Sequence, residues 1–333
     1  MSNNEFNWYK LLNIIGFGTK SRHYVYSCLK NKGLQIQDLF ELTLSDLEAL
    51  LPEIGVGKFS RAKHTAILSL NEEKIYSDYE KLKSDKINII SIEHEYYPKS
   101  ILYNLKDNSP LVLFCTGYLP LLQNNNSISV VGSRAIDDYT LQITKRIGIL
   151  LAENGFNVTS GYAKGVDTAA HFGALEAKGT TMMILSYGVN YLSIKKDIKD
   201  LEWEKNTLFV TQFLPYEKFT GANAMIRNKL VCALSKAVLV ICSGPEKDSD
   251  GKQSGTFDAG KTALDMKIPL FVLSSNALKK DIIGNNDLIK MGGISINNGK
   301  ELLHSLSNLE SLNLIKNEDL KSMSTKQGTI DFI

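Results

Sequence analysis

From Ser127 onward the chain alternates short runs that are apolar nearly throughout with amphipathic segments, and this alternation limits the fold more than any other feature. SISVVG, FNVTSG, TTMMILSYG, TLFVTQFL, KAVLVICS and IPLFVLS read as strands. DDYTLQITKRIGILLAENG, GVDTAAHFGALEAKG, Ala222–Ser235 and Thr256–Met266 read as helices, and GISIN with GKELLHSL as a last strand and helix. A strand with one wet face alternates apolar and polar residues, whereas a strand covered on both faces is apolar along its length. The pattern therefore predicts an α/β fold, a Rossmann-like, doubly wound and mainly parallel sheet with helices on both faces. Residues 5–70 differ, with short helical stretches broken at glycines, and predict a small helical N-terminal domain. Between them, Ile87–Asn104 begins as a β-rich run and turns at Tyr97-Pro98. The resulting division is 1–75 helical, 76–305 Rossmann-like and 306–333 a polar C-terminal tail.

At 333 residues, 43% hydrophobic and 22% charged, the chain has the composition of an ordinary globular protein. A net charge of +2 argues against a surface that is basic all over, but a local basic groove remains compatible with it. Cys28, Cys115, Cys232 and Cys242 are scattered with no CxxC pair, so buried thiols in a reducing compartment are expected rather than a zinc site or a disulfide framework. The N-terminus lacks the pattern of a signal peptide and no segment has the length of a membrane span. The expectation is a cytoplasmic protein that does not contact a membrane.

In a doubly wound sheet, ligands sit beyond the carboxyl ends of the strands where the strand order reverses. Four polar clusters fall at such places. Gly132-Ser133-Arg134 follows SISVV, offering a close backbone approach, a hydroxyl with amides, and a forked cation. Ser160-Gly161 ends FNVTS and leads to Lys164-Gly165 at the start of a helix. Arg227-Asn228-Lys229 lies within a helical segment, and Ser254-Gly255-Thr256 opens another helix. Singly, each has an ordinary explanation: a tight turn, a solvated lysine, a solvated helix face. Asp167 reads as an acid in a helix's first turn, favourable to its dipole. Their convergence on one sheet is what points to an anion site.

These residues resemble the DNA-processing protein A (DprA/Smf) family. VVGSR, SGYAKGVDTAAHFGAL, the helix with RNK, LSKAVLVI and SGTFDAGKTAL match in order the family's GSR turn, SGxARGID-AAH-GAL segment, RNR helix, LS-AVLVVEA strand and SGS/T-TA-A helix. GNNDLIKMGGI is similar to the family's late asparagine and LI-x-x-G segment, and the helical N-terminus resembles its helix-hairpin-helix or SAM-like domain. The resemblance implies a binding protein with no catalytic residue, metal or cofactor, a homodimer that holds single-stranded DNA and delivers it to a RecA-type recombinase. It implies phosphate contacts at Ser133, Arg134, Ser160, Gly161, Lys164, Arg227, Lys229, Ser254 and Thr256. The chain departs from the pattern at Lys164 and Lys229, where the family has arginine, and at Val240-Ile241-Cys242-Ser243, which lacks the usual acid. A polar insertion, GPEKDSDGKQ, precedes Ser254, and the segment after Ser305 is too short for the winged helix of many members.

Because the departures surround the expected pocket, a nucleotide-sensing module of a bacterial defence system is the alternative function. A phosphoribohydrolase of the lysine-decarboxylase-like class is disfavoured, since its catalytic glutamate has no counterpart and Asp258 is displaced by one position. No GxGxxG follows a strand, which argues against a dinucleotide-dependent oxidoreductase. Tyr162 and Phe219 are candidate stacking platforms for bases, with packing as the plainer role. Gly16, Gly18 and Lys20, and Gly55, Gly57 and Lys58, form Gly-x-Gly turns followed by a cation, suited either to a DNA backbone or to a helix C-cap.

Overall fold

Every residue of six consecutive strands is buried: β3 (Ser127–Val131), β4 (Asn157–Ser160), β5 (Thr181–Ile184), β6 (Thr207–Thr211), β7 (Ala237–Val240) and β8 (Leu270–Leu273). They form the centre of a nine-stranded sheet in a computed structural model that describes residues 4–52, 60–199, 201 and 203–309. With β1 (Asn88–Ser91), β2 (Val112–Gly117) and β9 (Ile294–Ile296), the strand order is β1-β2-β6-β5-β4-β3-β7-β8-β9. Pairings from β6 across to β9 are all parallel, and β1–β2 and β2–β6 are antiparallel. The expected mainly parallel, doubly wound α/β fold is therefore present, extended by two strands at one edge.

The period-2 pleat sends alternate side chains to opposite cores. On β7, Ala237 and Leu239 join α7 (Asp138–Glu153) and α8 (Val166–Glu176) through Ile147, Leu151, Ala170 and Ala174. Val238 and Val240 face the other way, toward α11 (Gly221–Ala233), α12 (Gly255–Asp265) and α14 (Ile283–Lys290), where Leu230, Val231, Phe257, Ala263 and Leu288 are buried. A strand needed by both cores can spare no polar side chain unless that group is bonded. Ser129 meets the condition, its hydroxyl donating to Val231 O at 2.9 Å.

The helical N-terminal region comprises α1 (Asn4–Leu12), α2 (Thr19–Asn31), α3 (Leu44–Leu50), α4 (Arg61–Leu68) and α5 (Glu72–Ser84). Its core of Trp8, Leu11, Val25, Leu29, Leu39 and Leu47 is continuous with Ile89, Val112 and Phe114 of β1 and β2. Tyr9 meets Phe114 edge-on at 6.1 Å, so the antiparallel edge of the sheet is where the helices dock. Gly16 takes φ +78° after α1 and Gly18 is the N-cap of α2, while the second Gly-x-Gly turn, with Gly55, Gly57 and Lys58, lies outside the described residues. The remaining helices are short connectors: α6 (Lys99–Leu105), α9 (Lys196–Lys199), α10 (Trp203–Asn206) and α13 (Ser275–Leu278). A helix over 299–309 closes the described chain.

His171 of α8 shows how a polar residue is accommodated between layers. It is fully buried, and its Nδ1 lies 2.6 Å from Thr181 Oγ1 on β5. The Thr181 hydroxyl donates its one proton to Val158 O at 2.7 Å, so Nδ1 must be the protonated nitrogen that donates to it. Burial, then the nearby charges of Lys195 and Arg227, push the His171 pKa down to about 3. The unfolded chain protonates this imidazole near pH 6.5 while the folded chain resists, so stability is lost as pH falls from about 6.5 toward 3, by roughly 1.4 kcal/mol per pH unit. Urea unfolding of wild type and His171→Gln checks this. The wild-type protein should weaken steeply with acid, and the variant should show a shallower dependence over the same window.

Candidate functional site

The order of the sheet reverses at β3. From there the chain winds outward through β4, β5 and β6, then returns to place β7 on the other side of β3. Beyond the carboxyl ends of these two strands opens a cleft of about 550 Å³, at the position where this topology holds ligands. Gly132, Ser133 and Arg134 after β3 line it, with Arg227 and Asn228 of α11 and Ser254, Gly255 and Thr256 at the start of α12. Residues from three of the four polar clusters named from the sequence are thus brought together, from segments spread over 132–256.

The turn after β3 is tied on both sides. Ser133 N donates to Cys242 O at 2.8 Å, Ser133 O accepts from Val166 N at 3.3 Å, and Ser133 Oγ donates to Ala135 O at 3.0 Å. The Ser133 amide expected to bind a phosphate is therefore already engaged, and its work is to hold the turn between β7 and α8. Arg134 is the part of the motif left at the surface, its guanidinium lying 5.6 Å from the centre of the half-exposed Phe219 ring. Phe219 also lines the cleft and is an available aromatic face. Tyr162 is not. It is 7% exposed, packs edge-on against Phe209 at 5.4 Å, and donates its hydroxyl to Ser193 O at 3.0 Å.

Arg227 lies at the cleft floor, 5% exposed, with Nη1 3.7 Å from Asp167 Oδ2. Its Nε has no hydrogen-bond partner among the described residues. Burial lowers the pKa of Arg227, Asp167 opposes that effect, and the charge of Arg134 adds to it. Two guanidinium groups and one carboxylate thus line the cleft, with Asp167 set against the buried Arg227, and this excess of positive charge is an arrangement that attracts an anion. Asp167 is held in turn by Gly161 N at 3.1 Å and Ala163 N at 3.3 Å. Asp167 is therefore a positioning group for Arg227 as well as a first-turn acid, a role with no signal in local sequence.

Five of the named residues do not line the cleft. Ser160 is fully buried and its hydroxyl donates to Val130 O at 2.5 Å, which removes it as a phosphate ligand and makes it a tie between β4 and β3. Gly161 spends its amide on Asp167, and a methyl group there would fall 1.2 Å from Arg227 Nη1, so its smallness is what admits the arginine. Gly165 serves as the N-cap of α8, packed against the backbone of Ser133 and Arg134. Lys164 is exposed beside that cap, outside the lining. Lys229 is corrected most fully, because its place on α11 turns it into a separate groove with Arg22 and Gln212. Each residue of a helix turns the direction by about 100°, so Arg227 and Lys229, two positions apart, point to nearly opposite sides of α11 and cannot face one ligand.

At α12, Ser254 Oγ accepts from Phe257 N at 3.3 Å, leaving the amides of Gly255 and Thr256 without an acceptor in the helix. Asn228 Nδ2 donates to Gly255 O at 2.9 Å, which couples α11 to this helix start. Asp258 does not line the cleft; it is half-buried, with burial raising its pKa. Below, the fully buried Asn285 of α14 donates to Ile241 O and Leu273 O at 2.8 Å each and accepts from Ser243 N at 2.8 Å. It ties together the ends of β7 and β8, where the chain departs toward the cleft. Among the described residues no group of acids, histidines or cysteines could hold a metal ion.

The family model for DNA recombination-mediator protein A matches residues 88–307, which covers the whole sheet and every part of the cleft. The chain belongs to this family. Protein Smf of Escherichia coli is 28% identical over 241 residues, a match spanning 72% of this chain and 62% of that protein, under two thirds of its length. DNA processing protein DprA of Streptococcus pneumoniae is 26% identical over 293 residues, covering 85% of this chain and 98% of the relative. The X-ray structure of that protein superposes with a TM-score of 0.73 at 23% identity, over 91% of this chain and 98% of the other, and establishes the shared fold. A structure of DNA processing protein A from Helicobacter pylori, described for its single-stranded DNA binding mode, aligns with a TM-score of 0.55 at 26% identity over 67% of this chain and 96% of that one.

Proposed function

We propose that the cleft holds the phosphate backbone of single-stranded DNA and that this is a non-catalytic DNA-processing protein. The observation that carries this reading is the convergence of Arg134, the buried Arg227 and the first turn of α12 on one cleft. Membership of the DNA recombination-mediator family supports it, as does the likeness to the Helicobacter pylori protein, whose structure concerns single-stranded DNA. Phe219 beside Arg134 supplies a face for one base, and stacking of that kind tolerates any sequence. Homodimerisation, hand-over of the strand to a RecA-type recombinase and a cytoplasmic location belong to the same reading. No helix among the described residues is long and apolar enough to cross a membrane.

Fluorescence anisotropy with labelled oligo-dT tests the proposal. Binding should weaken linearly in log–log form as salt rises, and Arg134→Ala should lower affinity by about tenfold or more, the worth of a charge-assisted contact. Lys164→Ala, outside the lining, should add little to that loss. Unchanged affinity in Arg134→Ala would remove the cleft from consideration as the DNA site. A cleft of about 550 Å³ also falls in the size range of small-ligand pockets. Thermal shift with mono-, di- and cyclic nucleotides therefore runs beside the titration, and a nucleotide response without oligonucleotide binding would favour the nucleotide-sensing alternative.

A further inference from the structure

We propose that the polar hairpin at residues 244–253 adds a fourth wall to the cleft, with Lys252 contacting a backbone phosphate beyond those held by Arg134 and Arg227. This deepens the single-stranded DNA reading and rests on it. By composition the hairpin does not suggest an anion site, since Glu246, Asp248 and Asp250 outnumber Lys247 and Lys252. The fold sorts these charges. Lys252 and Gln253 line the cleft, and none of the three acids does.

Glu246 is paired with a lysine and Asp248 is turned to the hairpin's own backbone, while Asp250 lies at the exposed tip, off the cleft lining. Glu246 Oε1 meets Lys261 Nζ of α12 at 3.0 Å, and its carbonyl accepts from Ser254 N at 3.1 Å, anchoring the hairpin to the helix that opens on the cleft. Lys247 and Gln253 form an antiparallel bridge, and Asp248 N donates to Lys252 O at 3.0 Å. Asp248 Oδ1 accepts from Asp250 N at 3.0 Å and from Lys252 N at 2.8 Å, closing the tip with Gly251 N donating to Asp248 O at 2.9 Å. Asp248 thus fixes the backbone that carries Lys252, and its charge is compensated by two amides. What reaches the cleft is one cation and one amide side chain, a donor set for a phosphate oxygen and a neighbouring sugar or base edge. Lys252 is exposed and unforked, so its expected contribution is that of one neutralised phosphate rather than of a rigid recognition element.

Oligo-dT titrations over a range of salt, using the full chain, decide the point. Lys252→Gln should lower affinity several-fold at low salt and reduce the log–log salt slope by about 0.7, the counterions released per phosphate on a single strand. Lys247→Gln removes the same charge from the same hairpin off the cleft lining, and its slope should stay at the wild-type value. Asp248→Ala should also weaken binding, although removing a negative charge would by itself tighten it. A wild-type slope in Lys252→Gln, equal losses in both lysine variants, or tighter binding in Asp248→Ala would each overturn the inference while leaving the cleft as a DNA site. Failure of the wild-type protein to bind oligo-dT would overturn the DNA reading and this inference with it.

Discussion

Asp167→Ala should destabilise the protein by about 3–5 kcal/mol, the usual result of stripping a buried cation of its partner. Both members of the pair are nearly inaccessible, Arg227 at 5% exposure and Asp167 likewise at 5%. Removing the carboxylate leaves the guanidinium without its counter-charge and leaves Gly161 N and Ala163 N without an acceptor. Asp167→Asn should fall between, because an amide oxygen can still accept from the two backbone groups. Urea unfolding near neutral pH measures both, and phosphate in the buffer should recover more stability in Asp167→Ala than in wild type, since an anion can take the vacated role beside Arg227. A loss below about 1 kcal/mol would mean that the pair is solvated and contributes little, as surface pairs do.

The second large effect is expected at Gly165, where alanine should cost about 3–4 kcal/mol and abolish oligonucleotide binding as well. Gly165 has φ +78° and ψ −126°, a conformation that side chains with a Cβ adopt at a penalty. A methyl group there would lie 2.5 Å from Ser133 O and 2.6 Å from Arg134 O, both backbone atoms with no rotamer to change. The turn that presents Arg134 would have to move. Unfolding measurements and oligo-dT titration of the same sample separate the two consequences. A variant as stable as wild type, or one that binds normally, would show that the Ser133–Arg134 turn and the α8 cap are not packed as the structure has them.

The layout of the sheet was legible because burial on both faces leaves a direct mark in sequence. SISVV and AVLVI are apolar nearly throughout, and the structure buries β3 and β7 completely. The site was legible in part. Gly132-Ser133-Arg134 and Ser254-Gly255-Thr256 sit at strand and helix ends, and such ends are where this topology exposes amides and side chains to a ligand. Within the helix, adjacency in sequence misled. Arg227, Asn228 and Lys229 read as one basic cluster, but Lys229 opens into the groove with Arg22. Ser160 and Gly161 end a strand, as ligands in this topology do, whereas the Ser160 hydroxyl and the Gly161 amide are consumed by Val130 O and Asp167.

The sequence by itself determined the order of strands and helices, their two-sided burial, the family pattern and the segments that approach the cleft. Those properties follow from local periodicity and from residue types at the ends of elements, which a linear chain records. The tertiary structure alone decided which donors remain free. Partnering between Arg227 and Asp167, the engagement of the Ser133 amide by Cys242 O, and the turning of Lys252 toward the cleft while its acidic neighbours stay off the lining all join residues remote in sequence or set their direction. A charge becomes a binding group only when nothing nearer satisfies it, and nearness of that kind exists only in three dimensions.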